Sequence, residues 1–165
     1  AMVEPVFGFC TKEEHKLFMK HVVPFEESLV EQGTILVKLY FSVTKDKQAI
    51  RFEQRRTDPL RQWKLSEIDL QAQSMWDEFS KTKFKMLKNT SKEKAPWHVI
   101  RSSDKHKARL ETIKLILNQI EYDGKSRAID LTFDPKIVFT AKQELEIMRR
   151  ENIAIMQYEN GGEYD

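Results

Sequence analysis

The chain has 165 residues, of which 33% are charged and 40% are hydrophobic, and these proportions are typical of one globular domain. Its 28 Lys and Arg residues nearly balance its 26 Asp and Glu residues, so a net charge of +2 does not favour nucleic acid as a partner. No run of about 18 apolar residues predicts a membrane span. The single Cys10 cannot form an internal disulfide, which favours the reducing cytoplasm as the location.

The first 33 residues predict a loop and two helices. Residues 1–9 are apolar and loop-like, which favours either a domain whose N-terminal part precedes Ala1 or a short buried arm. Thr11 and Glu14 have the spacing of a capping box and predict a helix start. Pro24 fits the first turn of a second helix that ends before Gly33, a residue suited to a left-handed stop.

The segment from Thr34 to Val43 is the clearest strand. It is apolar on both faces apart from Lys38, as strands in covered parallel sheets are. Helical residues follow from Lys45 to Arg56 and end before Pro59, because the residue before proline avoids the α-region.

Two more helices and a short strand follow. Ser66 and Asp69 predict a second capping box, and the helix after them carries a predicted core stripe made of Ile68, Ala72, Met75, Phe79 and Met86. A strand is expected over Trp97–Arg101. Asp104 then caps a helix predicted to bury five apolar residues, namely Leu110, Ile113, Ile116, Leu117 and Ile120.

This alternation of strands and helices predicts an α/β domain with a parallel sheet and helices on its faces. Since two strands do not complete such a sheet, further strands are expected before Ala1. We assign residues 1–125 to this domain. Residues 126–165 are expected to form a helical tail, with a charged helix from Thr140 to about Tyr158, that packs on a neighbour or partner.

The most informative segment runs from Lys45 to Lys64 and holds seven basic and three acidic residues. Lys47, Arg51 and Arg55 recur every four residues, so they share one helix face and repel each other. A phosphate ligand would offset that repulsion, and arginine grips phosphate oxygens two at a time. A solvated face with ordinary ion pairs is the alternative.

Other candidate sites give weaker signals. Trp63 suits a buried hinge anchor better than a base-stacking surface. Lys105, at a helix start after a strand, lies where nucleotide enzymes often contact a base or phosphate. The four histidines lack metal-ligand spacing, and with one cysteine a zinc site is not expected. The sequence contains no G-x-x-x-x-G-K-[ST] loop.

From Ala1 to about Tyr122 the sequence resembles the C-terminal half of the family-2 polyphosphate kinases. The resemblance is carried by long, specific runs, namely Thr34–Val43, Arg51-Phe-Glu-Gln-Arg55, Asp58-Pro-Leu-Arg-Gln-Trp-Lys-Leu-Ser66, Asp69, Trp76-Asp77, Ala95-Pro-Trp-His-Val99, Asp104-Lys105 and Ala108-Arg109.

The resemblance implies the C-terminal part of a thymidylate kinase-like P-loop fold, with a helical lid over about residues 45–66. It also implies transfer of phosphate between inorganic polyphosphate and an adenine or guanine nucleoside mono- or diphosphate, with magnesium, in a homodimer or homotetramer. Arg51 and Arg55 would be the catalytic lid residues. Arg56, Arg61 and Lys64 would support the lid or make secondary phosphate contacts, and Lys105 would bind phosphate or nucleotide.

One departure from the family is large. Its Gly-rich phosphate loop and its Asp-Arg box, which helps to hold magnesium, would lie before Ala1. The chain is therefore expected to be a lid-bearing fragment, inactive alone and without metal ligands of its own. The alternative is a non-catalytic module that binds polyanions or supports assembly.

Overall fold

The computed structural model describes residues 1–123, 125 and 129–151. Within them, helices surround a three-stranded sheet of order β1-β2-β3. In chain order the elements are α1 (Val3–Phe7), α2 (Lys12–Glu31), β1 (Lys38–Ser42), α3 (Lys45–Thr57), a 3₁₀ turn (Gln62–Lys64), α4 (Glu67–Ala72), α5 (Trp76–Thr90), β2 (Trp97–Arg101), α6 (Lys105–Gln119), β3 (Val138–Thr140) and α7 (Ala141–Arg150).

Helix α2 is longer than predicted. The capping box is confirmed, because the Thr11 hydroxyl accepts from the Glu14 amide while the Glu14 carboxylate accepts from the Thr11 amide. The helix continues through Pro24, so the prediction of a second helix starting there was wrong. Proline removes one backbone donor, and the helical residues on both sides outweigh that loss. Gly33, with φ 90°, ends the segment as expected.

The parallel pairing is confirmed, with Tyr40 of β1 opposite Val99 of β2. Both strands lead into helices, and such crossovers give parallel neighbours. β3 was not predicted, and it runs antiparallel to β2 with Phe139 opposite Val99. Three residues are too short a run for alternation to identify a strand.

Helices cover both faces of the sheet, as predicted. On one face Val99 packs with Met86 and Leu87 of α5 and Ala141 of α7. On the other face four buried residues cluster, namely Ile100 of β2, Ala108 and Leu115 of α6, and Val138 of β3. Because successive side chains of a strand point to opposite faces, Val99 and Ile100 divide the core in two.

The buried stripe of α6 differs from the predicted one. Leu110 and Ile113 are 55% and 54% exposed, so their predicted burial was wrong. The helix instead turns Ala108, Glu111 and Leu115 inward. Glu111 is accommodated because it pairs with Lys114 and accepts from the Asp134 amide. The predicted stripe started from Leu110 and so followed a neighbouring face of the helix, which left out Leu115 although it is just as apolar.

The C-terminal segment, which was expected to be an appendage, contributes β3 to the sheet. Its helix α7 packs on α5. The predicted start of its helix is confirmed by a capping box between Thr140 and Gln143. The predicted continuation to Tyr158 lies outside the described residues. The division at residue 125 stays a prediction. In the described ranges, no helix is long and apolar enough to cross a membrane.

Candidate functional site

The carboxyl ends of the two parallel strands lead into the two helices that form the site. Thr44 caps α3 after β1, and Asp104 caps α6 after β2, as predicted for Asp104. The Ser42 carbonyl joins the two turns, because it accepts from the amide and the hydroxyl of Ser102 at 2.7 and 2.9 Å. The starts of α3 and α6 therefore lie side by side.

A pocket of about 310 Å³ lies between α3, the 3₁₀ turn and α6. Five of its six lining residues are cationic and the sixth is neutral, namely Arg51, Gln54, Arg55, Arg61, Lys64 and Lys105. Such a concentration of one sign of charge in a cleft attracts anions. Five of the six residues that the sequence proposed for the site are thus brought together.

Arg51 is held against the turn that follows β2. Its Nη2 donates to the Ser102 carbonyl at 2.6 Å and to the Ser103 carbonyl at 3.2 Å. Carbonyl groups orient the guanidinium but do not neutralise it. Arg51 therefore retains its full charge toward the pocket.

Arg55 is linked to the start of α4. Its Nη1 donates to Oδ2 of Asp69 at 2.9 Å, and its guanidinium lies 5.6 Å from the ring centre of Phe52. Asp69 also accepts from the Ser66 amide, which confirms the predicted second capping box. The ion pair is partly exposed, and pairs of that kind contribute only about 0–1 kcal/mol.

The segment after α3 is organised by Asp58. Its carboxylate accepts from the Leu60 amide at 3.0 Å and pairs with Nε of Arg61 at 2.9 Å. Lys64 lies 4.9 Å from the ring centre of Trp63, and that ring is 78% exposed. The interpretation of Trp63 as a buried anchor was therefore wrong.

Two predicted cations lie elsewhere. Arg56 makes a two-pronged pair with the Glu53 carboxylate at 2.8 and 2.9 Å and does not line the pocket. Lys47 also lies outside the lining set. Arg56 points away because one residue advances an α-helix by about 100°. Gln54, which the sequence did not single out, shares the pocket face because it is three residues after Arg51.

The positive charge of the pocket shifts the pKa of Lys105. Repulsion from Arg51 is the main cause that lowers the pKa of Lys105, followed by burial and then by repulsion from Lys64, Arg55 and Arg109. Like charges within reach disfavour the protonated form of a lysine. An anion that enters the pocket would relieve the repulsion.

The lining residues do not fit a magnesium ion, which prefers carboxylate, phosphate and water oxygens. Asp58 and Asp69, the nearby carboxylates, are each paired with an arginine. Among the described residues there is also no cluster of three or more His, Cys, Asp or Glu side chains suited to a metal. The cationic lining suits an anion instead of a metal ion.

Comparison with known proteins identifies the family of this chain. The family model "Polyphosphate kinase 2" matches residues 1–128. The chain is 41% identical over 138 residues to "ADP-polyphosphate phosphotransferase 1" of Rhizobium meliloti, covering 84% of this chain and 46% of that protein. It is 42% identical to "GDP-polyphosphate phosphotransferase" of Mycolicibacterium smegmatis, covering 84% and 49% respectively.

The fold is also shared with a solved structure. The crystal structure of polyphosphate kinase 2 from Arthrobacter aurescens TC1 superposes with a TM-score of 0.66 at 30% identity, covering 77% of this chain and 48% of that one. The chain therefore belongs to the polyphosphate kinase 2 family, and its likeness to that structure confirms the predicted P-loop kinase fold. The chain spans about half the length of the curated relatives that it matches.

Proposed function

We propose that this chain supplies the lid-side phosphate site of an enzyme that transfers phosphate between inorganic polyphosphate and a nucleoside phosphate. The observation that carries the proposal is the pocket whose charged lining is entirely cationic. Two relatives are named as ADP- and GDP-polyphosphate phosphotransferases. An adenine or guanine nucleotide is accordingly the proposed second substrate.

Arg51 and Arg55 are the proposed catalytic residues. Phosphoryl transfer needs groups that position the polyphosphate and neutralise the charge that develops on the migrating phosphoryl group. A guanidinium can hold two oxygens in a fixed plane, whereas lysine acts as a point charge. Both arginines now donate to protein oxygens, Arg51 to carbonyls and Arg55 to Asp69. Substrate oxygens would take over these donors.

Lys105, Lys64 and Arg61 complete the proposed site. Lys105 approaches from α6, while the other two approach from the segment after α3, so a phosphate chain would be contacted from both sides. Closure of the segment 45–66 over the substrate would exclude water, as lids in such enzymes do. Magnesium, when bound, would neutralise phosphate charge, and its protein ligands are expected outside the described residues.

The proposal is tested by nucleotide synthesis with the full-length protein, polyphosphate, magnesium and either ADP or GDP. Replacing Arg51 and Arg55 together by methionine should lower kcat by on the order of a hundredfold or more. Arg51→Lys should retain part of the activity because the charge remains without the fork. Wild-type kcat and KM in the double variant would remove both arginines from the mechanism.

A second candidate is a non-catalytic module that binds polyanions. Its support is that the cations of the pocket would hold a polyanion whether or not phosphate is then transferred. The two functions separate in one comparison. Tight tripolyphosphate binding without nucleotide formation by the full-length protein would favour the binding module.

A further inference from the structure

A second charged cluster lies between α5, α7 and the sheet, where Lys83, Arg101 and Glu144 line another cavity of about 800 Å³. Its centre is the carboxylate of Glu144, whose side chain is 1% exposed. Arg101 grips it with two bonds, Nη1 to Oε1 at 3.0 Å and Nη2 to Oε2 at 2.6 Å. Lys83 of α5 makes a short contact with Oε1. One buried anion therefore orients two cations.

This cluster is connected to the basic pocket by hydrogen bonds. Arg101 donates to the Ser42 hydroxyl at 3.1 Å. The Ser42 carbonyl accepts from the Ser102 amide at 2.7 Å, and the Ser102 carbonyl accepts from Arg51 at 2.6 Å. The path runs from α7 through the ends of both parallel strands to the guanidinium that lines the pocket.

Stability alone does not explain such a cluster. Burying charged groups removes them from water, and apolar residues of similar size are often at least as stable in their place. Burial near Glu144 shifts the pKa values of two neighbouring side chains, Lys83 and Tyr40. Burial chiefly lowers the pKa of Lys83, opposed by Glu144, and burial followed by repulsion from Glu144 raises the pKa of Tyr40 to about 12. What the cluster provides is a fixed geometry.

We propose that Glu144 is a positioning residue for the phosphate pocket. Through Arg101 it fixes the turns that start α3 and α6, and so it sets the placement of Arg51 relative to Lys105. It lies beyond residues 1–128, which the family model matches. This inference rests on the proposed function, because it assigns to α7 a role in anion binding.

The test compares two buried ion pairs on the same sheet. Glu144→Gln removes the negative charge of the cluster. Glu26→Gln removes the partner of Lys38, a buried pair of 2.6 Å at the opposite end of β1. Both variants should lower Tm by several degrees, as losing one partner of a buried pair does. Only Glu144→Gln should weaken tripolyphosphate binding by the full-length protein, by about threefold to tenfold.

Glu144→Asp keeps the negative charge while its shorter side chain cannot hold both cations in place. We expect it to fold with a Tm nearer to wild type and still to bind tripolyphosphate more weakly. It therefore gives an answer even where Glu144→Gln does not fold. Calorimetric titration well below Tm measures Kd for each folded variant.

Repeating both Glu144 substitutions in an Arg51→Met background identifies the route. If Glu144 acts through the placement of Arg51, its substitution should then change Kd by less than about twofold. Wild-type Kd in Glu144→Asp, or equal weakening with and without Arg51, would overturn the inference while leaving the proposed function intact. Failure of wild-type protein to bind tripolyphosphate would instead refute the proposed function, and this inference with it.

Discussion

Arg55 and Arg56 offer a matched comparison, because they are adjacent, chemically identical and on the same helix. Arg55 lines the pocket, whereas Arg56 is engaged by Glu53 outside it. We expect Arg55→Met to weaken tripolyphosphate binding and Arg56→Met to leave it within about twofold. Each change removes one positive charge, so any difference reports geometry and not net charge.

The expected size follows from the contacts of Arg55. A charge-assisted hydrogen bond contributes about 1.5–3 kcal/mol. To make it, Arg55 must release Asp69, a partly exposed pair with side chains 31% and 25% accessible that contributes up to about 1 kcal/mol. With the full 1 kcal/mol subtracted, the net loss of about 0.5–2 kcal/mol corresponds to about a twofold to thirtyfold rise in Kd.

Isothermal titration calorimetry of the full-length protein measures this, with Tm recorded for each variant. Arg56→Met loses only an exposed ion pair, so its Tm should stay close to that of the wild type. Equal weakening by the two substitutions would show that the helix attracts anions only through its overall charge. No weakening by either would remove Arg55 from the binding site.

Three further outcomes are expected. Asp58→Ala should lower both Tm and phosphotransfer, because its carboxylate organises the turn through Leu60 and Arg61, and an unchanged Tm would oppose that role. Neighbouring cations lower the pKa of Lys105, so tripolyphosphate binding at alkaline pH should be coupled to proton uptake. The measured heat of binding should then vary with the ionisation enthalpy of the buffer. A heat of binding that is the same in every buffer would contradict this. Burial lowers the pKa of His98, so the unfolded state binds protons more readily, and stability should decline as pH falls below about 6.5. His98→Gln should reduce that dependence of Tm on pH, with His21→Gln as the exposed control.

Local features of the structure were predictable from sequence. The caps at Thr11, Ser66, Asp104 and Thr140 depend on side chains within three residues of the amides that they bind. Apolar strand segments likewise predicted β1 and β2 and their parallel pairing. Signals of this kind act over a few residues, so one sequence is enough to read them.

Features that depend on distant partners were not predictable. Glu144 looks like one more charged residue on a helix surface, and only the approach of Lys83 and Arg101 explains its burial. The exposed positions of Leu110 and Ile113 likewise depend on which face of α6 meets the sheet.

The candidate site was predictable in part. A four-residue spacing placed Arg51 and Arg55 on one helix face, and both line the pocket. The same spacing also included Lys47, which does not line the pocket. Arg61 and Lys64 came from the family resemblance, and Lys105 from its place at a helix start after a strand. That these residues meet depends on a turn and on a second helix, which no local pattern reveals. Their roles in catalysis stay predictions.

The most direct test is a crystal structure of the full-length protein with tripolyphosphate bound. We expect phosphate oxygens within hydrogen-bonding distance of Arg51, Arg55 and Lys105, with the bond from Arg55 to Asp69 given up to the ligand. Tripolyphosphate bound at another surface, with both arginines still on their present protein partners, would contradict the assignment of this pocket as the phosphate site.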